Sequence, residues 1–231
     1  MIELFEGVPG SGKSLHTAAC IKDWCRFGHP VICNFPVNTE LKYVKKALDN
    51  NKLFILDNFE LTPKKLISIS QELRMEYPYK EDGIHLVIDE CQLLFNSREW
   101  NLTNNRMEWC TFFTQHRHYK FHIILVCQFD RMIDRQIRSL IEFSVHHLKL
   151  KNYGWRGYCL GLFLGFNSIM CVKKWYSQKL YLSSSIIRFN KRSLFKLYDT
   201  EYIFKNPSIE DASAAGSAEG VRGSLRGSSS A

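Results

Sequence analysis

Gly7-Val8-Pro9-Gly10-Ser11-Gly12-Lys13-Ser14 fills every fixed position of the pattern G-x-x-x-x-G-K-[ST]. An apolar stretch at residues 2–5 leads straight into it. Behind it, Leu15, Ala18, Ala19, Ile21 and Cys25 recur at helical spacing, which predicts a helix over residues 14–27. Strand, glycine-rich loop and helix in that order form a phosphate cradle. The glycines let successive backbone N–H groups turn inward, and the helix N-terminus adds positive potential. Gly7, Val8, Pro9, Gly10, Ser11, Gly12, Lys13, Ser14 and Leu15 are therefore the candidate nucleotide-binding residues. Lys13 is placed to reach the β and γ phosphates, and the Ser14 hydroxyl to hold Mg2+.

Further along, apolar runs alternate with helical patterns: a strand at residues 31–34, helices at 39–48 and 63–75, a run at 84–88, a helix within 104–118 and a run at 123–127. Continuous apolar runs suit strands covered on both faces. Their alternation with helices predicts an α/β fold, a P-loop NTPase with a mainly parallel sheet between helices. From 143 to 176, strand-like runs broken by Asn152-Tyr153-Gly154 and Phe166-Asn167-Ser168 read as antiparallel strands added at the sheet edge in the C-terminal part. Residues 208–231 are mostly Ser, Gly and Ala without an aromatic residue, too little apolar surface to offset the entropy of ordering. The chain divides into an NTPase domain, 1–200, and a flexible tail, 201–231, for which an added linker is one reading.

A second acidic element completes the nucleotide chemistry. The run Ile84-His85-Leu86-Val87-Ile88 ends in Asp89-Glu90, the Walker B pattern of an apolar strand that delivers an acid to the sheet edge. Asp89 is the metal-side carboxylate, and Glu90 is placed to polarise a water for attack on the γ-phosphate. The run at 123–127 ends in Gln128, a polar amide suited to sensing that phosphate or orienting the water. Arg131, Arg135 and Arg138 follow at spacings of four and three. Arg135 or Arg138 is a candidate finger reaching a neighbouring subunit's γ-phosphate, and plain solvated helix charge is the alternative.

Charge and cysteine usage narrow the setting. Of 31 basic and 23 acidic residues, 1–114 hold 13 and 15 (net −2), 115–207 hold 16 and 5 (net +11), and 208–231 hold 2 and 3 (net −1). The basic half suggests an anionic partner. Between 173 and 196, Lys173, Lys174, Lys179, Arg188, Lys191, Arg192 and Lys196 occur with no acid. Such a run suits either an anionic membrane surface or single-stranded DNA phosphates. Eight cysteines include no C-x-x-C pair, which favours free thiols in a reduced cytosolic compartment. The N-terminus lacks a signal peptide pattern, and the stretch 158–172 is shorter than the ~20 residues of a spanning helix.

Gly7 to Ser14 after a short strand, Asp89-Glu90-Cys91-Gln92, Asn96-Ser97-Arg98-Glu99-Trp100, His116-Arg117-His118 and the strand ending in Gln128 together resemble the zonular occludens toxin family over roughly residues 1–200. Its members include the filamentous-phage assembly ATPase. The resemblance implies an Mg-ATP-hydrolysing motor that acts as a ring at the cytoplasmic face of the bacterial host inner membrane. Phage coat and export-channel proteins are the partners it implies, and single-stranded phage DNA is a further one left open. Family members continue into a membrane-spanning helix where this chain has its Ser/Gly/Ala tail, so the chain reads as a soluble truncation. Two other classes stay open: a P-loop kinase of a small molecule with residues 131–138 as its lid, and a toxin or adhesion scaffold that nucleotide organises without hydrolysis.

Overall fold

Alternate side chains within each apolar run go to opposite faces of one eight-stranded sheet. The computed structural model describes residues 1–76, 78–98, 105–149, 168–188 and 192–198, with single positions 155, 159 and 162. Its strands are β1 (Ile2–Glu6), β2 (Val31–Cys33), β3 (Leu53–Ile55), β4 (Ile84–Ile88), β5 (Phe121–Val126), β6 (Phe143–Lys149), β7 (Ser168–Trp175) and β8 (Tyr181–Arg188). They lie in the order β3-β2-β4-β5-β1-β6-β7-β8. From β3 to β6 in that order all neighbours pair in parallel, whereas β6–β7 and β7–β8 are antiparallel. The helices are α1 (Lys13–Phe27), α2 (Lys42–Asp49), α3 (Pro63–Glu76), α4 (Arg106–Gln115), α5 (Arg135–Ser139) and α6 (Arg192–Phe195).

Both faces are covered, which is why the strands read as unbroken apolar runs. Leu4, Leu86, Ile88, Ile123 and Leu125 face α3 and α4, where Leu66, Ile69, Leu73, Phe112 and Phe113 meet them. Phe5, Val87, Ile124 and Val126 face the other way, onto Ala18, Ile21 and Cys25 of α1 and Val44 of α2.

Several expectations need correction. β6 belongs to the parallel set, because it returns beside β1 with Leu4 opposite Ser144, and only β7 and β8 run antiparallel. β3 and β8 were not anticipated. The first is only three residues long, and the second mixes Tyr181, Leu182 and Ile186 with three serines and leaves Tyr181 and Leu182 exposed. α2 starts three residues later than the pattern suggested, and β5 two residues earlier, directly after Lys120 at φ 65°. All eight cysteines are free. Residue 104 and the proposed tail, 201–231, lie outside the described residues.

Polar side chains within the apolar runs have specific partners. Glu3, His85 and His122 face the C-terminal half of α1, where the Trp24 indole stacks on His85 with ring centroids 3.9 Å apart. His116 Nδ1 donates to the Phe113 carbonyl at 2.7 Å, so its Nε2 lone pair accepts from the Met1 amine at 2.9 Å. Arg117 donates to Glu142 at 2.9 Å. The histidine–arginine cluster therefore ties α4 to the N-terminal strand. Lys173, first of the basic run, donates to Glu3 at 2.5 Å and lies 4.5 Å from the Phe143 ring centroid, so its charge is used internally.

Burial alone would raise the Glu3 carboxyl, but hydrogen bonds and charges from His122 and Lys173 hold it at about 2, below its ordinary 4.5. A depressed carboxyl contributes stability that is complete above its unfolded value and lost as pH falls towards the folded one. Lys173→Met should cost about 1–3 kcal/mol at pH 7, the lower end reflecting partial exposure of the lysine. It should also flatten the loss of stability between pH 4.5 and 2. Urea melts of both proteins at pH 7 and pH 3 measure this.

Candidate functional site

The loop between β1 and α1 is held from within. Ser11 N donates to the Val8 carbonyl at 3.0 Å, and Gly7 N to the Gln128 carbonyl at 3.3 Å. Gly12 caps α1 at φ 99°, a left-handed conformation, with no side chain capping the helix and no acid in its first turn. The first-turn amides are thus left to an anion. A Cβ on Gly12 would fall 1.9 Å from Ile169 Cδ1, so only glycine lets the loop lie against β7. The Lys13 ammonium donates to the Gly7 carbonyl at 2.6 Å and the Val8 carbonyl at 3.3 Å, folded back over the loop. Burial lowers its pKa, opposed by the nearby charges of Glu90 and Asp89.

At the end of β4 the acids are fixed by hydrogen bonds to Asn34, Tyr198 and Gln92. Asn34, just past β2, accepts from Asp89 N at 2.7 Å and donates to the Asp89 carbonyl at 2.9 Å, and also donates to Asn58. Asp89 Oδ1 accepts from Glu90 N at 2.8 Å, and Oδ2 from the Tyr198 hydroxyl at 2.7 Å. Burial pushes the Asp89 carboxyl up to about 6, against those two hydrogen bonds. Glu90 sits at φ 47°, ψ 44°, a left-handed backbone that costs a residue with a Cβ about 1–2 kcal/mol. Gln92 Nε2 donates to its carboxylate. Strain held by such surrounding contacts gathers at functional positions.

Because β5 lies between β1 and β4, Gln128 emerges between the phosphate loop and the acids. A cavity of about 590 Å3 opens there. Pro9, Gly10, Gly12, Lys13, Ser14, Leu15, Asp89, Glu90 and Gln128 all line it. Gly7, Val8 and Ser11 shape the loop behind. The Ser14 hydroxyl and Asp89 carboxylate are hard oxygen donors of the kind Mg2+ takes, and the free amides with Lys13 suit its phosphate partner.

Arg135 and Arg138 are not in this cavity; both lie on α5, Arg135 exposed. Lys149 at the end of β6, Ile169, Leu194, Phe195 and Tyr198, which also line it, were not anticipated, nor was Asn34, which clamps Asp89. Asn34 carried the same signal as Gln128, a polar amide closing a buried apolar run. Tyr198 had no signal, since its partner lies 109 residues away.

The parallel sheet, phosphate loop and strand-end acids define a P-loop NTPase fold, and solved structures with TM-scores above 0.5 agree. The genome packaging NTPase B204 from Sulfolobus turreted icosahedral virus 2, in complex with AMPPCP, matches 82% of this chain and 98% of its own at 14% identity and TM-score 0.52. A DnaB-like replicative helicase, solved for its interactions with primase, matches 82% of this chain and 55% of its own at 12% identity and TM-score 0.56. The N-terminal domain of zonular occludens toxin from Neisseria meningitidis matches 86% and 98% at 18% identity and TM-score 0.48. No curated protein matches the sequence. The family model described as zonular occludens toxin (Zot) matches residues 1–174, and the chain belongs to that family. No helix among the described residues is long and apolar enough to cross a membrane.

Gly12→Ala should remove nucleotide binding and lower stability by about 1–3 kcal/mol through backbone strain and the clash with Ile169. Adding Ile169→Ala should relieve the clash but not the left-handed strain, so the double variant recovers part of the binding at most. Fluorescent-nucleotide titration and thermal melts of the three proteins check this.

Proposed function

We propose that this chain is an Mg-ATP-hydrolysing motor of phage assembly. The observation that carries the reading is the convergence of Lys13, Ser14, Asp89, Glu90 and Gln128 on one cavity at the C-terminal edge of the parallel sheet. The loop amides and Lys13 bind the β and γ phosphates. Ser14 and Asp89 would hold Mg2+, which would supply positive charge to offset that of the phosphates. Glu90 takes a proton from the attacking water, and Gln128 orients that water beside it. Lys149 brings a further cation to the cavity. Leu194 and Phe195 form an apolar wall suited to the base.

The motor works as a ring of subunits, with Arg135 or Arg138 reaching the neighbouring subunit's γ-phosphate. Exposure of Arg135, outside its own cavity, supports a role between subunits. The setting is the cytoplasmic face of the bacterial inner membrane during virion extrusion, with coat and export-channel proteins as partners. Exposed Lys174 and Lys179 remain available to an anionic membrane surface or to single-stranded phage DNA. The kinase alternative loses support because the arginines of α5 do not close over the cavity, and Glu90 serves hydrolysis better than transfer to an acceptor.

Lys13→Ala should remove nucleotide binding and phage export together. Glu90→Gln should keep binding but reduce phosphate release by about 100-fold or more, the scale of a lost general base. Equal hydrolysis by Glu90→Gln and the parent, measured as phosphate release without any acceptor, would overturn the assignment of Glu90. Export that persists in that variant while hydrolysis stops would favour the nucleotide-organised scaffold.

A further inference from the structure

Beneath the phosphate loop, three metal-ligating side chains from three elements converge: His16 of α1, His147 of β6 and Cys171 of β7. Their donor atoms all lie within 4.8 Å of one another, a grouping found once among the described residues. The antiparallel register sets His147 directly opposite Cys171, so the two side chains share one sheet face and His16 closes over them. His147 and Cys171 are fully buried, and His16 is half-buried.

The proton positions follow from the partners. His147 Nδ1 donates to the Glu6 carbonyl at 3.2 Å, which leaves a lone pair on Nε2. That lone pair faces His16 Nδ1 at 2.8 Å, so the proton between the rings belongs to His16. Cys171 Sγ stands 3.8 Å from the same His16 nitrogen. Phe5 stacks on the His16 ring at 4.6 Å and fixes its plane. A ligating imidazole whose second nitrogen donates to a backbone carbonyl is the usual support of a bound zinc ion.

We propose that His16 Nδ1, His147 Nε2 and Cys171 Sγ bind a thiophilic divalent cation of the zinc class, separate from the nucleotide-linked Mg2+ site. Zinc bond lengths in tetrahedral geometry place nitrogens ~3.3 Å apart and nitrogen and sulfur ~3.6 Å apart. The rings need to part by roughly half an ångström from their hydrogen-bonded spacing to reach this geometry. On binding, the His16 proton moves from Nδ1 to Nε2, and the Cys171 thiol proton passes to solvent. One proton is released per ion. Two imidazoles and a thiolate are borderline and soft donors, which Mg2+ does not select, so the two sites do not compete. The ion would fasten α1 to β6 and β7 directly under the loop, since the His147 carbonyl already lies 2.8 Å from where a Cβ on Gly7 would fall.

The test uses the purified full chain stripped with a chelator and titrated with Co2+, then Zn2+, without nucleotide. One equivalent of Co2+ should give a thiolate-to-metal charge-transfer band with tetrahedral d–d bands, and Zn2+ should displace it. Cys171→Ser should abolish the charge-transfer band and weaken zinc binding by more than about 100-fold, beyond what loss of a supporting contact brings. Cys110→Ser, outside the cluster, should leave both unchanged. Absence of the band in the parent chain, or its survival in Cys171→Ser, overturns the proposal. X-ray absorption on the zinc-loaded parent decides independently of any variant's folding: one sulfur with two nitrogen ligands supports the site, and an all-oxygen or multi-sulfur shell overturns it.

Discussion

Parallel pairing of β1 with β5 on one side and β6 on the other is the constraint from which the site follows. Parallel strands finish on the same edge, so whatever follows β1, β4, β5 and β6 is brought together there. The phosphate loop, Asp89-Glu90, Gln128 and Lys149 are those strand ends. Crossover helices are needed to return each strand to the same starting edge, and they cover both faces. Ligand binding at the carboxyl edge is thus a property of the connectivity before any one side chain is considered.

The geometry of the loop between β1 and α1 was legible because it is local. A glycine-rich turn between strand and helix needs only neighbouring residues to form. Asp89 and Gln128 were legible for a related reason, since a polar residue that closes a buried run marks the place where a strand leaves the core. Lys149 closes a run too, but β6 carries Ser144, His146 and His147 among its apolar residues, which blurred its pattern. β3 is too short for periodicity to register. The direction of β6 was misjudged because alternation within a strand says nothing about which neighbour it pairs with or in which sense. Asn34 and Tyr198 act across the fold, and their roles exist only once the chain has closed.

Charge shows the same division. The basic excess of residues 115–207 was visible as a sum, but its use is set by position. Lys173 goes inward to Glu3, while Lys174, the next residue along the same strand, stays exposed. Alternation along β7 separates them, with a register irregularity at that very pair. Three buried histidines follow the same logic: His116, His85 and His147 are held below their ordinary pKa by burial, and a ring nitrogen of each finds a partner.

The hydroxyl of Tyr198 on Asp89 spans 109 residues of chain, and this span has a kinetic meaning. Contacts so distant in sequence form late, because the loop they close must first be collapsed. The phosphate loop closes on neighbouring residues alone, yet the acid opposite it receives its last hydrogen bond only when almost the whole described fold has been made. The setting of Asp89 is therefore completed at the end of folding rather than at its beginning.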